Sequence, residues 1–435
     1  GFWAWDPVEN AALMPWLTGT AFLHSIMIQE KRNMLKIWNV VLIILTYGLT
    51  IVGTFLTRSG IINSVHSFTQ SEIGPAFLIF LGFILVIGFG LLFKRIQILE
   101  SEHKIESVLC RENTFLAQNI LLVGIAFTVL LGTTFPLLAE AVRGTKLSIQ
   151  APFFNTIIAP MGYILLFLMG IGTIIAWRKS SWEGLSRNFK KPVIIATLGT
   201  FFLAWFLSSR ELLWSVHTIF WLSIFVFSTI FLEILKVVRL KKTQTKISLI
   251  ASLFSVVAAN PRRYGGLLIH FGVVLMFLGF AGTFFKLERN ITLKSGVASQ
   301  IGEYSLNFTK VEEFTVGNAK HRAAIVQVFD SDNNLLEVMK PAKSFYPTQP
   351  QPLTEVAIRR SFLEDLYLIF SSENGDEDGS VTLRVFINPL VGWAWMALPI
   401  FTLGVGLSLS YRPKSLIAHD MILRKRQMAA QALNT

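Results

Sequence analysis

Cysteine is almost missing from this chain: Cys110 stands alone among 435 residues. One thiol can form neither an intrachain disulfide nor a dithiol relay, so thiol redox chemistry within the chain is excluded. Charge is scarce too, at 15% of residues, and acidic residues are the rarer kind, 27 against 39 Lys and Arg. The seven histidines nowhere form a zinc-type cluster at ligand spacing. No Gly-rich phosphate loop is present, which argues against nucleotide hydrolysis. The sequence also opens without a methionine, inside an aromatic run, and is expected to be the C-terminal portion of a longer or split protein.

Apolar residues fill the space that charge leaves. They make up 52% of the chain, and the mean hydropathy is +0.55, beyond what a soluble globular domain carries. A polytopic α-helical membrane protein is therefore expected. Nine runs are candidate spans: Met14–Gln29, Ile37–Leu56, Ala76–Phe93, Ala117–Ala139, Ile157–Trp177, Val193–Leu207, Leu212–Val238, Gly265–Phe285 and Leu390–Leu409. Ser248–Ala259 is apolar but only about three turns long, and is expected to be an interfacial helix.

A net charge of +12 could suggest nucleic acid as a partner. Its distribution points elsewhere. Lys and Arg gather in alternate loops, Glu30–Lys36, Lys94–Arg111, Arg178–Lys191 and Lys236–Arg263, and in the tail after Tyr411. By the positive-inside rule these are cytoplasmic, and no nucleic-acid role is expected. The Trp-rich opening, Arg58–Pro75, Glu140–Thr156, Ser208–Glu211 and the insertion after Phe285 then face the other side. Within Lys286–Asn388, alternation such as Ala324-Ile325-Val326-Gln327-Val328-Phe329 predicts strands. The expected organisation is a Trp-rich external segment (1–13), a transmembrane bundle (14–285), a periplasmic β-rich domain (286–388), a last span (389–411) and a basic cytoplasmic tail (412–435).

The opening segment carries the most chemistry. Trp3, Trp5 and Trp16 crowd around Asp6, Glu9, Pro7 and Pro15. Two prolines make a simple spanning helix unexpected there; a surface platform able to stack a large planar ligand fits the run better. An aromatic belt at the bilayer interface is the plainer reading, and the residues alone leave both open. Asp6 and Glu9 suit polar fixtures of a platform and helix caps equally.

The order of these residues, Gly1-Phe2-Trp3-Ala4-Trp5-Asp6-Pro7-Val8-Glu9-Asn10 through Met14-Pro15-Trp16-Leu17, resembles the WWD signature of haem-handling membrane proteins. Among them it is most similar to the CcmF family of bacterial cytochrome c haem lyases. Phe2 and Ala4 depart from the aromatic residues usual at those two positions. The resemblance implies haem attachment to CxxCH cysteines of apocytochrome c, in the bacterial inner membrane. It implies haem delivered by the chaperone CcmE, and apocytochrome presented by CcmH- and CcmI-type proteins. A paralogue of the NrfE kind, acting on a CxxCK motif, would look nearly the same. A haem transporter or a membrane scaffold are readings of another class.

Histidine depth adds to this. His24 lies six residues before Glu30 on a descending span, and His270 six residues after Tyr264 on an ascending one. Both imidazoles are thus expected about 9 Å inside the cytoplasmic boundary. Such a pair can ligate one haem iron axially, or be two isolated buried histidines. Gly19, Gly265, Gly266 and Gly272 are expected to admit a flat macrocycle beside them. The resemblance implies a resident b-type haem on His24 and His270. His66 by itself reads as a loop residue. The resemblance makes it a ligand to the iron of the substrate haem, beside Trp3, Trp5 and Asp6 at the catalytic platform, with Trp16 adding to the haem-binding surface. Arg58 and Arg143 could pair with propionates, or serve as interfacial anchors. His103, His217, His321 and His419 are given no role.

Overall fold

The computed structural model describes residues 3–59, 73–101, 103, 105–145, 147, 149–206, 214–347, 351–371 and 380–411. Ten α-helices run in order: α1 Pro7–Arg32, α2 Lys36–Arg58, α3 Gly74–Lys94, α4 Arg111–Arg143, α5 Ala151–Ile174, α6 Trp182–Phe206, α7 Trp214–Thr245, α8 Leu249–Ala259, α9 Pro261–Ala281 and α10 Val391–Leu409. Among the described residues nine of them are long and apolar enough to cross a membrane, and the short exception is α8. Among the described residues the predicted runs fall inside these nine helices, apart from a few residues at their ends. Several helices outlast their apolar runs: α4 has 33 residues and α7 has 32. The basic stretch after Val238 is thus helical as far as Thr245.

The start of α1 differs from expectation. The platform segment was expected to stay outside the helix as far as residue 13, yet α1 begins at Pro7 and runs through Pro15 without a break. Pro7 occupies the first helical turn, where its missing N–H is no loss. Pro15 leaves the Ala11 carbonyl without its helical donor. That carbonyl meets Gly53 of α2, where a Cβ would stand only 3.1 Å away. Membrane helices tolerate proline where a neighbouring helix closes over the freed group.

The chain divides into two compact units, Gly1–Phe206 with Ile224–Lys236, and Leu207–Ser223 with Val237–Thr435. The first has a core of Met14, Leu17 and Ala21 from α1, Leu42, Phe55 and Leu56 from α2, and Leu122, Ile125, Ala126 and Val129 from α4. Polar side chains bridge these helices: Thr46 donates to Thr18 (2.9 Å), Asn39 to Gln29 (2.7 Å) and Asn10 to Thr133 (3.0 Å). With its amide turned to suit both neighbours, buried Asn119 of α4 donates to Ala21 O (3.0 Å) and accepts from Trp38 Nε1 (3.3 Å).

The second unit pairs α9 with α10 and carries the β-domain between them. Ten strands make it: β1 Leu287–Leu293, β2 Ala298–Ile301, β3 Tyr304–Val316, β4 Ala319–Phe329, β5 Leu335–Met339, β6 Ala342–Phe345, β7 Leu353–Glu355, β8 Ala357–Arg360, β9 Glu364–Phe370 and β10 Val381–Pro389. They form two antiparallel sheets, in the orders β1-β10-β9-β8 and β2-β3-β4-β6-β7, with β5 also on β4. Alternate residues such as Leu306, Phe308, Leu366, Leu368, Leu383 and Val385 point into one apolar core. The predicted acidic tip, Glu373 to Asp378, and the tail from Arg412 lie outside the described residues.

Glycines let α9 and α10 touch backbone to backbone. A Cβ on Gly265 would strike Ser408 and the Gly404 carbonyl, one on Gly272 would lie 3.1 Å from Phe401, and one on Gly279 would lie 2.8 Å from Ala394. Small-residue contacts of this kind hold membrane helices together by close packing. Gly266, one residue from Gly265, has no heavy atom within 4 Å of its Cβ position. Gly265→Ala is therefore expected to destabilise the protein by about 1–3 kcal/mol. Gly266→Ala should leave stability unchanged or raise it by up to about 1 kcal/mol. Thermal unfolding of the two variants in the same detergent distinguishes them, and equal losses would refute the packing argument.

Candidate functional site

The Trp-rich segment is built onto the start of α1 and the neighbouring ends of α4 and α5. Asp6 is the N-cap: its carboxylate accepts from Val8 N (2.8 Å). Glu9 reaches back to accept from Asp6 N (3.2 Å) and Ala4 N (2.9 Å). Asp6 and Glu9 together form a capping box, so both carboxylates act on the backbone that aims the indoles. Of the two roles the residues allowed, the structure displays capping.

Trp5 is held harder than any neighbour. Its φ is 59°, a left-handed conformation that a bulky residue adopts only when its surroundings compel it. Three contacts do so. Trp5 Nε1 donates to Asn155 Oδ1 at 2.9 Å, and its ring stacks on Phe154 at 4.8 Å and 11°. Buried Asn10 donates from Nδ2 to Trp5 O (3.1 Å) while holding Thr133 of α4. Trp3 stands edge-on to Trp5, with centroids 5.8 Å apart and planes at 89°, and is 39% exposed. A fixed indole thus supports a more open one. Trp16 lies about 14 Å along the helix from its first residue and faces outward, 51% exposed. The structure does not bring Trp16 together with Trp3 and Trp5.

His24 projects from α1 half-buried. Its Nδ1 lies 2.9 Å from Thr20 O, a carbonyl that can only accept, so Nδ1 carries the proton. In the neutral ring this leaves the lone pair on Nε2, the nitrogen a metal would take. The ring meets Phe115 edge-to-face (5.4 Å), and Phe115 meets Trp177 likewise (5.9 Å). Lys31 Nζ and Arg111 Cζ sit 4.6 and 5.3 Å from the Trp177 centroid. Arg32 joins Glu112 (3.2 Å) and Glu106 (2.6 Å) at the same end of the bundle. Cys110 caps α4 there, and burial pushes its thiol up, away from the reactive thiolate.

His270, half-buried on α9, is described within its own unit. Gly266 lies one helical turn before it, on the same side, with open space at its Cβ position. Two of the other glycines expected to admit a macrocycle are taken up by helix packing. Gly265 and Gly272 pack against α10, and Gly19 meets Thr46 of α2 at 3.7 Å. This corrects the expectation for Gly265 and Gly272, which serve helix packing; Gly19 and Gly266 retain room for a Cβ. His66 lies outside the described residues. Arg58 and Arg143 end α2 and α4, both exposed.

Comparison with known proteins decides the family. Residues 284–389 match the CcmF C-terminal beta-sandwich, and residues 1–62 match the Cytochrome C assembly protein family. The cytochrome c-type biogenesis protein ccl1 of Rhodobacter capsulatus is 31% identical, over 95% of this chain and 61% of its own length. CcmF of Pseudomonas fluorescens is 32% identical, over 91% of this chain and 58% of its own. A solved structure of "Cytochrome c Heme Lyase CcmF" superposes with a TM-score of 0.74 at 31% identity, covering 94% of this chain and 61% of that one. The chain belongs to the CcmF family. It spans about three fifths of the length of these relatives: 61% of the ccl1 protein and 58% of the Pseudomonas CcmF. The CcmF match covers the nine-helix architecture and the β-sandwich before the last helix alike.

Asn155 and Phe154 were not found by sequence reasoning. Nothing in the sequence ties position 155 to position 5; only the packing of α5 does. Asn155→Leu would remove the acceptor of the Trp5 indole N–H, at a cost of about 0.5–1.5 kcal/mol. Asn155→Asp, which keeps an acceptor, should recover most of it. Asp6→Ala should cost about 1 kcal/mol through the lost cap. Denaturant or thermal unfolding measures all three, and an Asn155→Leu protein as stable as the parent would show that Trp5 is not held through this bond.

Proposed function

We propose that this CcmF-family chain acts in cytochrome c maturation as a membrane haem lyase component. Its substrates are haem and an apocytochrome bearing a CxxCH motif. In the reaction each cysteine S–H adds across a haem vinyl group: sulfur bonds one carbon and the hydrogen goes to the other, with no leaving group. The chain needs no nucleophile of its own, and its single thiol is a buried helix cap. Its contribution is placement. The observation that carries the reading is the Trp3–Trp5 pair, one indole fixed by Asn155 and Phe154 and the other open to a planar ligand. Asp6 aims that surface, His66 ligates the substrate iron, and Arg58 meets a propionate; Trp16, farther along α1, offers a separate aromatic contact.

His24 and His270 hold a resident b-type haem in this proposal. The donor set suits it: His24 keeps its proton on Nδ1, so Nε2 carries the lone pair, and a Cβ at Gly266, one turn before His270, would meet open space. Each imidazole lies about 12 to 14 Å from the terminus of its own helix, in the apolar part of a span. Such a haem, when bound, would supply one-electron redox chemistry within the span. The chain lies in the bacterial inner membrane, with the Trp-rich segment and β-domain periplasmic and the tail cytoplasmic. Haem arrives from a CcmE-type chaperone, and apocytochrome from CcmH- and CcmI-type partners.

Haem content of the purified protein, read by pyridine haemochrome and by the reduced absorption spectrum, tests this. His24→Ala and His270→Ala are each expected to lose most of the bound b-type haem, whereas His66→Ala keeps it but abolishes cytochrome c assembly in cells. Full haem content in both membrane variants would remove His24 and His270 as ligands.

A further inference from the structure

One turn of the β-domain, which the haem chemistry does not use, packs against the first turn of α10. Helix α10 has 19 residues, about 28 Å, barely the thickness of a bilayer core. Its first turn must therefore lie at the hydrocarbon boundary, whichever way the chain is oriented. Three contacts fix the turn between β8 and β9 at that height. Leu390 N donates to Leu363 O (2.7 Å), Trp393 Nε1 donates to Phe362 O (3.0 Å), and the rings of Phe362 and Trp393 lie 5.6 Å apart. Gly392 comes close enough to Ser361 that a Cβ would stand 3.2 Å from its carbonyl. The turn is also stiff: Ser361 donates from both N (3.1 Å) and Oγ (2.6 Å) to Glu364 O, and Oγ accepts from Glu364 N (3.1 Å).

This rigid turn presents two adjacent large apolar side chains outward. Phe362 and Leu363 are each 64% exposed, while Leu366 and Leu368, just beyond them on β9, are fully buried. Trp395 of α10, 56% exposed, sits within a turn of the same level, and Arg360 is exposed beside the pair. Apolar side chains next to Trp and Arg at a bilayer boundary form an interfacial anchor. We infer that Phe362 and Leu363 insert into the lipid at the membrane interface and seat the β-domain on the bilayer surface. The partner is phospholipid, in continuity with the lipid around α10, and the inference does not depend on the haem lyase reading.

Spin labelling of the full chain in lipid nanodiscs tests it. In a Cys110→Ser background, a nitroxide is placed at L363C, at L335C on the exposed face of β5, and at L403C, exposed in the middle of α10. The ratio of collisions with oxygen to collisions with a water-soluble nickel complex reports depth. The ratio at position 363 is expected to exceed that at 335 several-fold and to fall below that at 403. A ratio equal to that at 335 would place the turn in water and overturn the inference. A label at 363 immobilised and shielded from both reagents would overturn it as well, by showing a protein neighbour in place of lipid.

Discussion

Lipid tails do not draw two apolar helices together as water does, so the helices of this chain must adhere by other means. Among the described residues they use two. In the first unit, polar side chains reach across: Thr18 to Thr46, Gln29 to Asn39, Asn10 to Thr133, and Asn119 to both Ala21 and Trp38. In the second, glycines bring backbones into contact along α9 and α10. A polar group left alone in hydrocarbon is costly, so each such bond also fixes register. Apolar packing then fills what these anchors define.

The same constraint reaches the Trp-rich segment. Asn10 belongs both to the helix adhesion and to the platform, because one amide bonds Thr133 and the Trp5 carbonyl. Trp5 holds a left-handed backbone that costs roughly 1–3 kcal/mol in isolation. That cost is met by fastening the residue to α4 and α5 at once. A surface loop would let two indoles wander; here the bundle core orients them. Rigid support beneath an exposed aromatic face is what a site needs if its work is orientation rather than acid–base chemistry.

Much of this was legible in the sequence, and what was missed has a common cause. Long apolar runs located the nine long helices among the described residues, and alternation located the sandwich, because both signals are local. Pro15 misled: a proline reads as a helix break unless the partner covering the freed carbonyl is known, and that partner is Gly53, distant in sequence. Two of the glycines near His24 and His270 misled for a related reason. Spacing shows that a residue is small but not which neighbour needs it to be, and α10 needed two of the four, Gly265 and Gly272. Asn155 gave no signal whatever, being one polar residue at the start of an apolar helix.

Asp6 and Glu9 show how the two levels meet. In sequence they are the acidic residues of a motif that resembles a haem signature, which invites a chemical role. In space they close a capping box, and the segment they cap is the one carrying Trp3 and Trp5. An N-terminal carboxylate also suits the positive end of the α1 dipole. These facts agree if the signature encodes a helix start as much as a ligand surface. The indoles need a fixed exit from the membrane, and Asp6-Pro7 with Glu9 is a compact way to begin a helix there. On this view the acidic residues and Pro7 build the scaffold of the segment, and Trp3 is the indole it leaves exposed.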